Sequence, residues 1–204
     1  MTAAALEPRP VLADALVRHR TRVTDLALIV TGALTVALLA QASVPLPFVP
    51  ITGQTLGVIL VGAALGSRRG AAALATYAAM GLAGAPVFAE FSGGPGMVMQ
   101  PSFGFILGFI PAAFFAGWMA ERAWDRKIGL AFLGFVAASV FPFLIGVPYM
   151  AWVLNSLMGL GLDFQGIMAA GVYPFIAGGV VKAAIAAGLI PAAWKGVRAL
   201  DRRA

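Results

Sequence analysis

Apolar residues recur along this chain in runs of about twenty, the length at which an α-helix crosses the hydrocarbon core of a bilayer. The first such helix is expected from about Leu26 to Val44. A turn carrying Pro45, Pro47 and Pro50 follows, then a second span from about Ile51 to Gly66. Arg68 and Arg69 separate this from a third span, about Ala71 to Phe88, and a glycine-rich loop, Ala89 to Pro101, leads into a fourth from Ser102 to Ala120. Glu121 to Lys127 is a charged turn. A fifth span, about Ile128 to Leu154, should bend at Pro142, Gly146 and Pro148. A weakly apolar linker, Asn155 to Ala170, precedes the sixth span, about Val172 to Trp194. The pattern predicts an all-α integral membrane protein with a six-helix transmembrane domain over 26–194. A polar N-terminal tail over 1–25 and a basic tail over 195–204 flank it.

Charge fixes the expected orientation. With the N-terminus inside, the cytoplasmic segments collect Arg9, Arg18, Arg20, Arg22, Arg68, Arg69, Arg122, Arg126, Lys127, Lys195, Arg198, Arg202 and Arg203, while the outer loops carry only Glu90 and Asp163. Positive charge kept to one side is the signature of topology, and a miscounted helix would mix the sides. Both termini are therefore expected in the cytoplasm and the chain in the cytoplasmic membrane, with several crossings. Ala40-Gln41-Ala42 resembles a signal-peptide cleavage site, but the apolar run before it is read as a retained first helix. The N-terminal tail has two readings: disordered, or a short helix opened by Pro10, with Val11, Leu12, Ala15 and Leu16 near one face and Asp14 and Arg18 opposite, lying on the inner leaflet.

Composition agrees and excludes several functions. The chain is 61% hydrophobic and 11% charged, against roughly 25% charged in soluble domains. The net charge of +6 sits in clusters between apolar runs rather than in a patch with interleaved aromatics, so nucleic acid is not the partner. Cysteine is absent, which removes disulfide and thiolate chemistry. The single histidine, His19, lies in the polar tail and reads as solvated or interfacial. There is no phosphate-binding loop, no carboxylate pair or histidine within the spans to relay protons, and no nucleophilic triad. The chain is expected to be neither an enzyme nor a self-powered pump, and to need no cofactor or metal.

Three features are candidates for function. Lys182 lies eight residues beyond Pro174, roughly 12 Å into the sixth span, where a lysine is costly and by default functional. Since no Asp or Glu lies in any span, its expected partner is a bound anion such as a substrate carboxylate. The competing reading is a lysine that snorkels to the outer interface. Gly178 and Gly179, one turn away, leave the backbone open to close approach. The second feature is the loop: Gly93 and Gly94 permit tight turns, Met97, Val98 and Met99 make it greasy, and Glu90 and Gln100 offer acceptors. It reads as a cover over an apolar pocket or as a plain connecting turn. The third is small-residue spacing at Ala33 and Ala37, Gly53 and Gly57, Gly62 and Gly66, and Gly104 and Gly108, suited to close helix packing or to docking.

Four segments give the chain a family resemblance over about Val44 to Ala187: Val44-Pro45-Leu46-Pro47-Phe48-Val49-Pro50-Ile51-Thr52 with Gln54-Thr55; Gly62 to Gly70; Pro86-Val87-Phe88-Ala89 with Ser92-Gly93-Gly94, Gly104-Phe105 and Gly108-Phe109; and Pro174-Phe175-Ile176 with Lys182. Together they resemble the BioY family, the biotin-specific S components of energy-coupling factor transporters. The resemblance implies a six-helix S-component bundle that takes up biotin, holding it near the outer face under the loop between helices three and four. It also implies docking of the first helix, through Ala33 and Ala37, onto a transmembrane coupling subunit bound to ABC-type ATPases. Working as a homo-oligomer without them is the other arrangement. Biotin's carboxylate would pair with Lys182, and its ring would suit Phe91, Tyr149, Trp152 and Tyr173. Its ureido group would use the loop backbone, Ser92 included, and the polar groups of Glu90, Gln100 or Asn155. Two positions depart from the family's pattern. Ser102-Phe103-Gly104-Phe105 stands where Thr-Gly-Gly-Tyr is usual, and Gly179 where an Asp is usual, three residues before the lysine. The alternatives are the same architecture serving another vitamin or cofactor precursor, and a membrane assembly subunit with no ligand of its own.

Overall fold

The computed structural model describes residues 9–17 and 21–201. Arg18, His19, Arg20, Arg202 and Arg203 therefore lie outside the described residues. The elements are α1 (Leu12–Leu16), α2 (Arg22–Ala40), β1 (Ser43–Val44), β2 (Ile51–Thr52), α3 (Gln54–Leu65), α4 (Ser67–Leu82), α5 (Phe103–Ala120), α6 (Ile128–Ala138), α7 (Phe141–Trp152), α8 (Phe164–Gly171) and α9 (Tyr173–Asp201). Among the described residues, four helical stretches are long and apolar enough to cross a bilayer: Arg22–Ala40, Phe103–Ala120, Ile128–Leu157 and Phe164–Ala199. The second and third expected spans fall short of that length as helix. α3 has 12 residues, about 18 Å, and α4 has 16.

The boundaries shift for local reasons. The first helix stops at Ala40 rather than Val44, because Ser43 and Val44 pair antiparallel with Thr52 and Ile51 and close the proline-bearing segment into a hairpin. Its start is set by Thr21 and Thr24, whose hydroxyls each accept the other's backbone N–H, at 3.2 and 2.8 Å. Glycine, not the arginine pair, ends α3: Gly66 at φ +87° is the only residue between α3 and α4, and Arg68 and Arg69 already belong to α4. Glu121, at the end of α5, caps that turn by accepting from the Ser67 N–H and hydroxyl, each at 2.7 Å. A carboxylate suits the positive end of a helix. The expected bent fifth span is two helices broken at Ser139 and Val140, just before Pro142 in the first turn of α7. Pro142 has no N–H to continue the ladder of α6. The expected linker holds α8, begun by Asp163, whose side chain accepts the Gly166 N–H at 2.8 Å.

Small residues bring the helices together. At Gly62 a Cβ would stand 2.5 Å from the Ala113 carbonyl oxygen of α5, and at Gly70 2.9 Å from the Gly62 Cα, so α3, α4 and α5 meet backbone to backbone. Gly104 and Gly108 admit Tyr149 and Pro142 of α7 in the same way, and Gly53 and Gly57 admit Leu39 of α2. Ala33 and Ala37 are spent on the same task. Both are buried among Val58, Val61, Leu65 and Ala73, so the surface expected to dock a partner is internal. The face of α2 that remains outside carries Leu26, Val30, Leu34 and Leu38.

The start of the described chain packs onto the bundle. Val11 and Leu12 are buried against Ile59, Ala63 and Ala187, whereas Leu16 is exposed. Polar contacts hold this segment. Arg9 donates its N–H to the Glu121 carbonyl at 2.8 Å, Arg126 donates to the Pro10 carbonyl at 2.9 Å, and Arg69 pairs with Asp14 at 2.5 Å and Asp25 at 3.2 Å. Beside them the buried Asp125 accepts the Trp194 indole N–H at 2.6 Å, and the Arg126 guanidinium lies over the Trp194 ring. The basic ends of the helices thus form one cross-linked layer.

Candidate functional site

The opposite end of the bundle holds a cavity of about 410 Å³. Its mouth is formed by the hairpin segment 45–52 and the 88–102 loop, and its walls by α5, the α6–α7 break and α9. Apolar side chains dominate, with Phe48, Phe105, Ile106, Phe143 and Phe175 among them, and Thr55, Ser92, Gln100, Ser102 and Ser139 interrupt them. One cation, Lys182, and one carboxylate, Glu90, reach its lining. The size is within the range of pockets for small molecules, roughly 300–1,000 Å³, as is the balance of apolar wall with few polar groups.

Lys182 does not snorkel. Its ammonium turns inward and donates to the Thr52 carbonyl oxygen at 2.5 Å and the Thr55 hydroxyl at 3.1 Å. Both partners are neutral, and among the described residues no carboxylate pairs with it. An ammonium has three donors, so one remains for an acceptor in the cavity. Thr52 is itself fixed from behind: its hydroxyl donates to Gln54 Oε1 at 2.7 Å, and Gln54 Nε2 donates to the buried Tyr77 hydroxyl at 2.5 Å. At Gly178 and Gly179 an added Cβ would meet nothing within 4 Å, so both face open space.

The loop contributes unevenly. Glu90, Ser92 and Gln100 line the cavity, whereas Phe91, Gly93 and Gly94 do not. Gly93 serves packing, since a Cβ there would stand 2.2 Å from the Ala85 carbonyl oxygen. Gly94, at φ +101°, donates its N–H to the Gly81 carbonyl at 2.7 Å. Phe91 is 70% exposed and points away. The aromatic set expected around a ring also disperses. Tyr149 spends its hydroxyl on the Val98 carbonyl and packs edge-on against Trp152, Trp152 and Tyr173 are exposed, and none of the three lines the cavity. Asn155 closes its own turn, donating to the Leu162 carbonyl at 2.9 Å and accepting the Leu162 N–H at 2.7 Å, and does not line the cavity. The aromatic wall comes instead from Phe48, Phe105, Phe143 and Phe175. Thr52, Gln54 and Thr55 stood in the sequence beside the proline turn, but only folding brings them to Lys182.

Fold and cavity together define a helical membrane protein with a recess for a small, mostly apolar molecule, and a lysine at its wall. The chain belongs to the BioY family, whose model matches residues 13–199. It is 44% identical over 110 residues to the biotin transporter BioY of Rhodobacter capsulatus, covering 53% of this chain and 57% of that protein. To the biotin transporter BioY of Thermotoga maritima it is 41% identical over 116 residues, covering 55% and 64%. To the putative biotin transporter BioYB of Bacillus subtilis it is 43% identical over 110 residues, covering 52% and 55%. The matched region thus spans somewhat more than half the length of these relatives. In fold, the chain is similar to the crystal structure of the S-component for biotin from an ECF-type ABC transporter, with a TM-score of 0.65, 21% identity, and 87% of this chain and 95% of that chain covered.

Proposed function

We propose that this chain captures biotin in the cavity and serves its uptake across the cytoplasmic membrane, as the S component of an energy-coupling factor transporter. The observation that carries the reading is Lys182, a cation in an apolar wall whose partners are both neutral. Biotin's valerate carboxylate meets the remaining donor of that ammonium, its bicyclic ring lies among Phe105, Phe143 and Phe175, and Glu90, Ser92 and Gln100 serve the ureido group. The names of the relatives support the choice of biotin. In this reading the chain crosses the membrane six times: α3 completes its crossing with the hairpin, and α4 with residues 83–88. The basic layer and both termini face the cytoplasm, and the cavity faces outward. Power comes from coupling and ATPase subunits, which meet the outer face of α2 rather than Ala33 and Ala37.

Equilibrium titration of the purified full chain with biotin, in detergent or nanodiscs, tests this directly. Saturable binding that fails with a panel of other vitamins supports it, and no binding of biotin beside binding of another vitamin sinks it. One observation favours that second reading. Gly179 has open space beside it where the family's usual pattern has a carboxylate, so the cavity lacks that acceptor.

A further inference from the structure

Glu90 and Phe91 both hold the left-handed backbone conformation, at φ 58° and 53°. Non-glycine residues hold it only where their surroundings compel it. Ser92 closes the turn from within, its N–H and hydroxyl donating to the Ala89 carbonyl at 3.2 and 2.7 Å, and one side chain grips it from outside. Gln41, just past the end of α2, donates from Nε2 to the Ala37 carbonyl at 2.9 Å and to the Phe88 carbonyl at 3.1 Å, and its Oε1 accepts the Phe91 N–H at 3.0 Å. The amide therefore grips the chain on both sides of Glu90. The grip has a firm base, because Phe88 is buried edge-on against Tyr77 in space that Gly81 leaves free. A backbone bond from the Phe88 N–H to the Ser92 carbonyl, 3.0 Å, closes the loop behind it. Between the two gripped residues stands Glu90, among the described residues the only carboxylate that lines the cavity.

We infer that Gln41 is a positioning residue for ligand binding: its side-chain amide holds the strained turn at Glu90 and Phe91, and so keeps the Glu90 carboxylate at the cavity wall. The inference rests on the reading of the cavity as the biotin site. Gln41 touches no ligand in this arrangement. It acts through Glu90, which ties the end of α2 to the far wall of the recess.

Two measurements on the full chain separate this from a general structural role. The first is hydrogen exchange at the Phe91 amide without ligand. Gln41→Ala removes its acceptor, and exchange is expected to quicken about tenfold, the scale of one lost hydrogen bond, with exchange in α3 and α5 unchanged. Gln41→Glu keeps that acceptor but not the donor to Phe88, so it retains protection at Phe91. The second is a double-mutant cycle on biotin affinity. Gln41→Ala and Glu90→Ala are each expected to weaken binding about tenfold, and the pair about as much as either alone, since coupled sites fail to add. Additive losses overturn the inference, as does an unchanged Phe91 exchange rate or an unchanged affinity in Gln41→Ala. If the unaltered chain binds no biotin while Gln41→Ala still frees the Phe91 amide, the biotin reading falls and the clamp stands.

Discussion

Lys182 shows how a charge is carried inside an apolar wall without a counter-charge. The Thr52 carbonyl and Thr55 hydroxyl solvate two of its protons, which offsets part of a cost of at least a few kcal/mol for a lysine within a membrane. Lys182→Ala should weaken biotin binding about a hundredfold, as loss of a charge-assisted hydrogen bond of about 1.5–3 kcal/mol implies, with thermal stability unchanged or improved. An unaltered affinity in titration would put the ligand elsewhere. Asp125, in the basic layer, is a different case. Burial pushes its carboxyl above the ordinary value of 3.8, although the Trp194 N–H and Arg126 pull it down, and its Oδ1 has no hydrogen-bond partner. A carboxyl whose pKa is raised on folding binds its proton before the unfolded chain does, so stability rises as pH falls through the folded value toward the unfolded one. Melting curves of the protein and of Asp125→Asn should therefore converge or cross as pH falls from 7 toward 4, with the unaltered protein gaining on the variant. The two were not equally legible. Lys182 stood out by its place in an apolar run, but its partners lie some 130 residues away and a carbonyl leaves no trace in a sequence. Asn155, Tyr149 and Trp152 had the right chemistry, but Asn155 closes its own turn, Tyr149 bonds the distant Val98 carbonyl, and Trp152 faces outward.

Helices were readable from apolar runs, yet their ends were not, because ends are decided by single residues. Gly66 turns the chain between α3 and α4 where the arginines suggested a longer connection, and Pro142 splits what read as one span. The short α3 owes its central place to glycine. Gly62→Val would force α3 off the Ala113 carbonyl, an overpacking of typically 1–3 kcal/mol, and should lower the melting temperature clearly. Gly178→Ala meets open space and should melt as the unaltered protein does, or slightly higher, since alanine restricts the unfolded chain. Equal stability of both variants would mean that α3 and α5 do not touch as described. The pairing of Ala33 with Ala37 carried the same spacing as Gly62 with Gly66, and nothing in spacing alone distinguishes an internal contact from an external one.

Across the whole molecule, polar groups divide between two ends with different work. At the basic end, Arg9, Asp14, Arg69 and Glu121 tie the N-terminal segment, α4 and α5 together. Arg69→Ala strips both Asp14 and Asp25 of this partner and should lower the melting temperature more in low salt than in high, since part-exposed ion pairs are screened. Biotin affinity should hardly change. An equal loss of affinity would show that the two ends are not independent. The basic end was legible as a charge count; its cross-links were not, because a tail and a tether have the same composition.

Under the proposed function, the contacts of Lys182 bear on how the cargo would be released. A carboxylate that arrives takes up the third N–H of the ammonium, and when it leaves, Thr52 and Thr55 still hold the other two. Letting go then leaves a charge still solvated on two sides rather than an ion bared in oil. A site built only to hold tightly would have no use for such a fallback; one that must unload its cargo does.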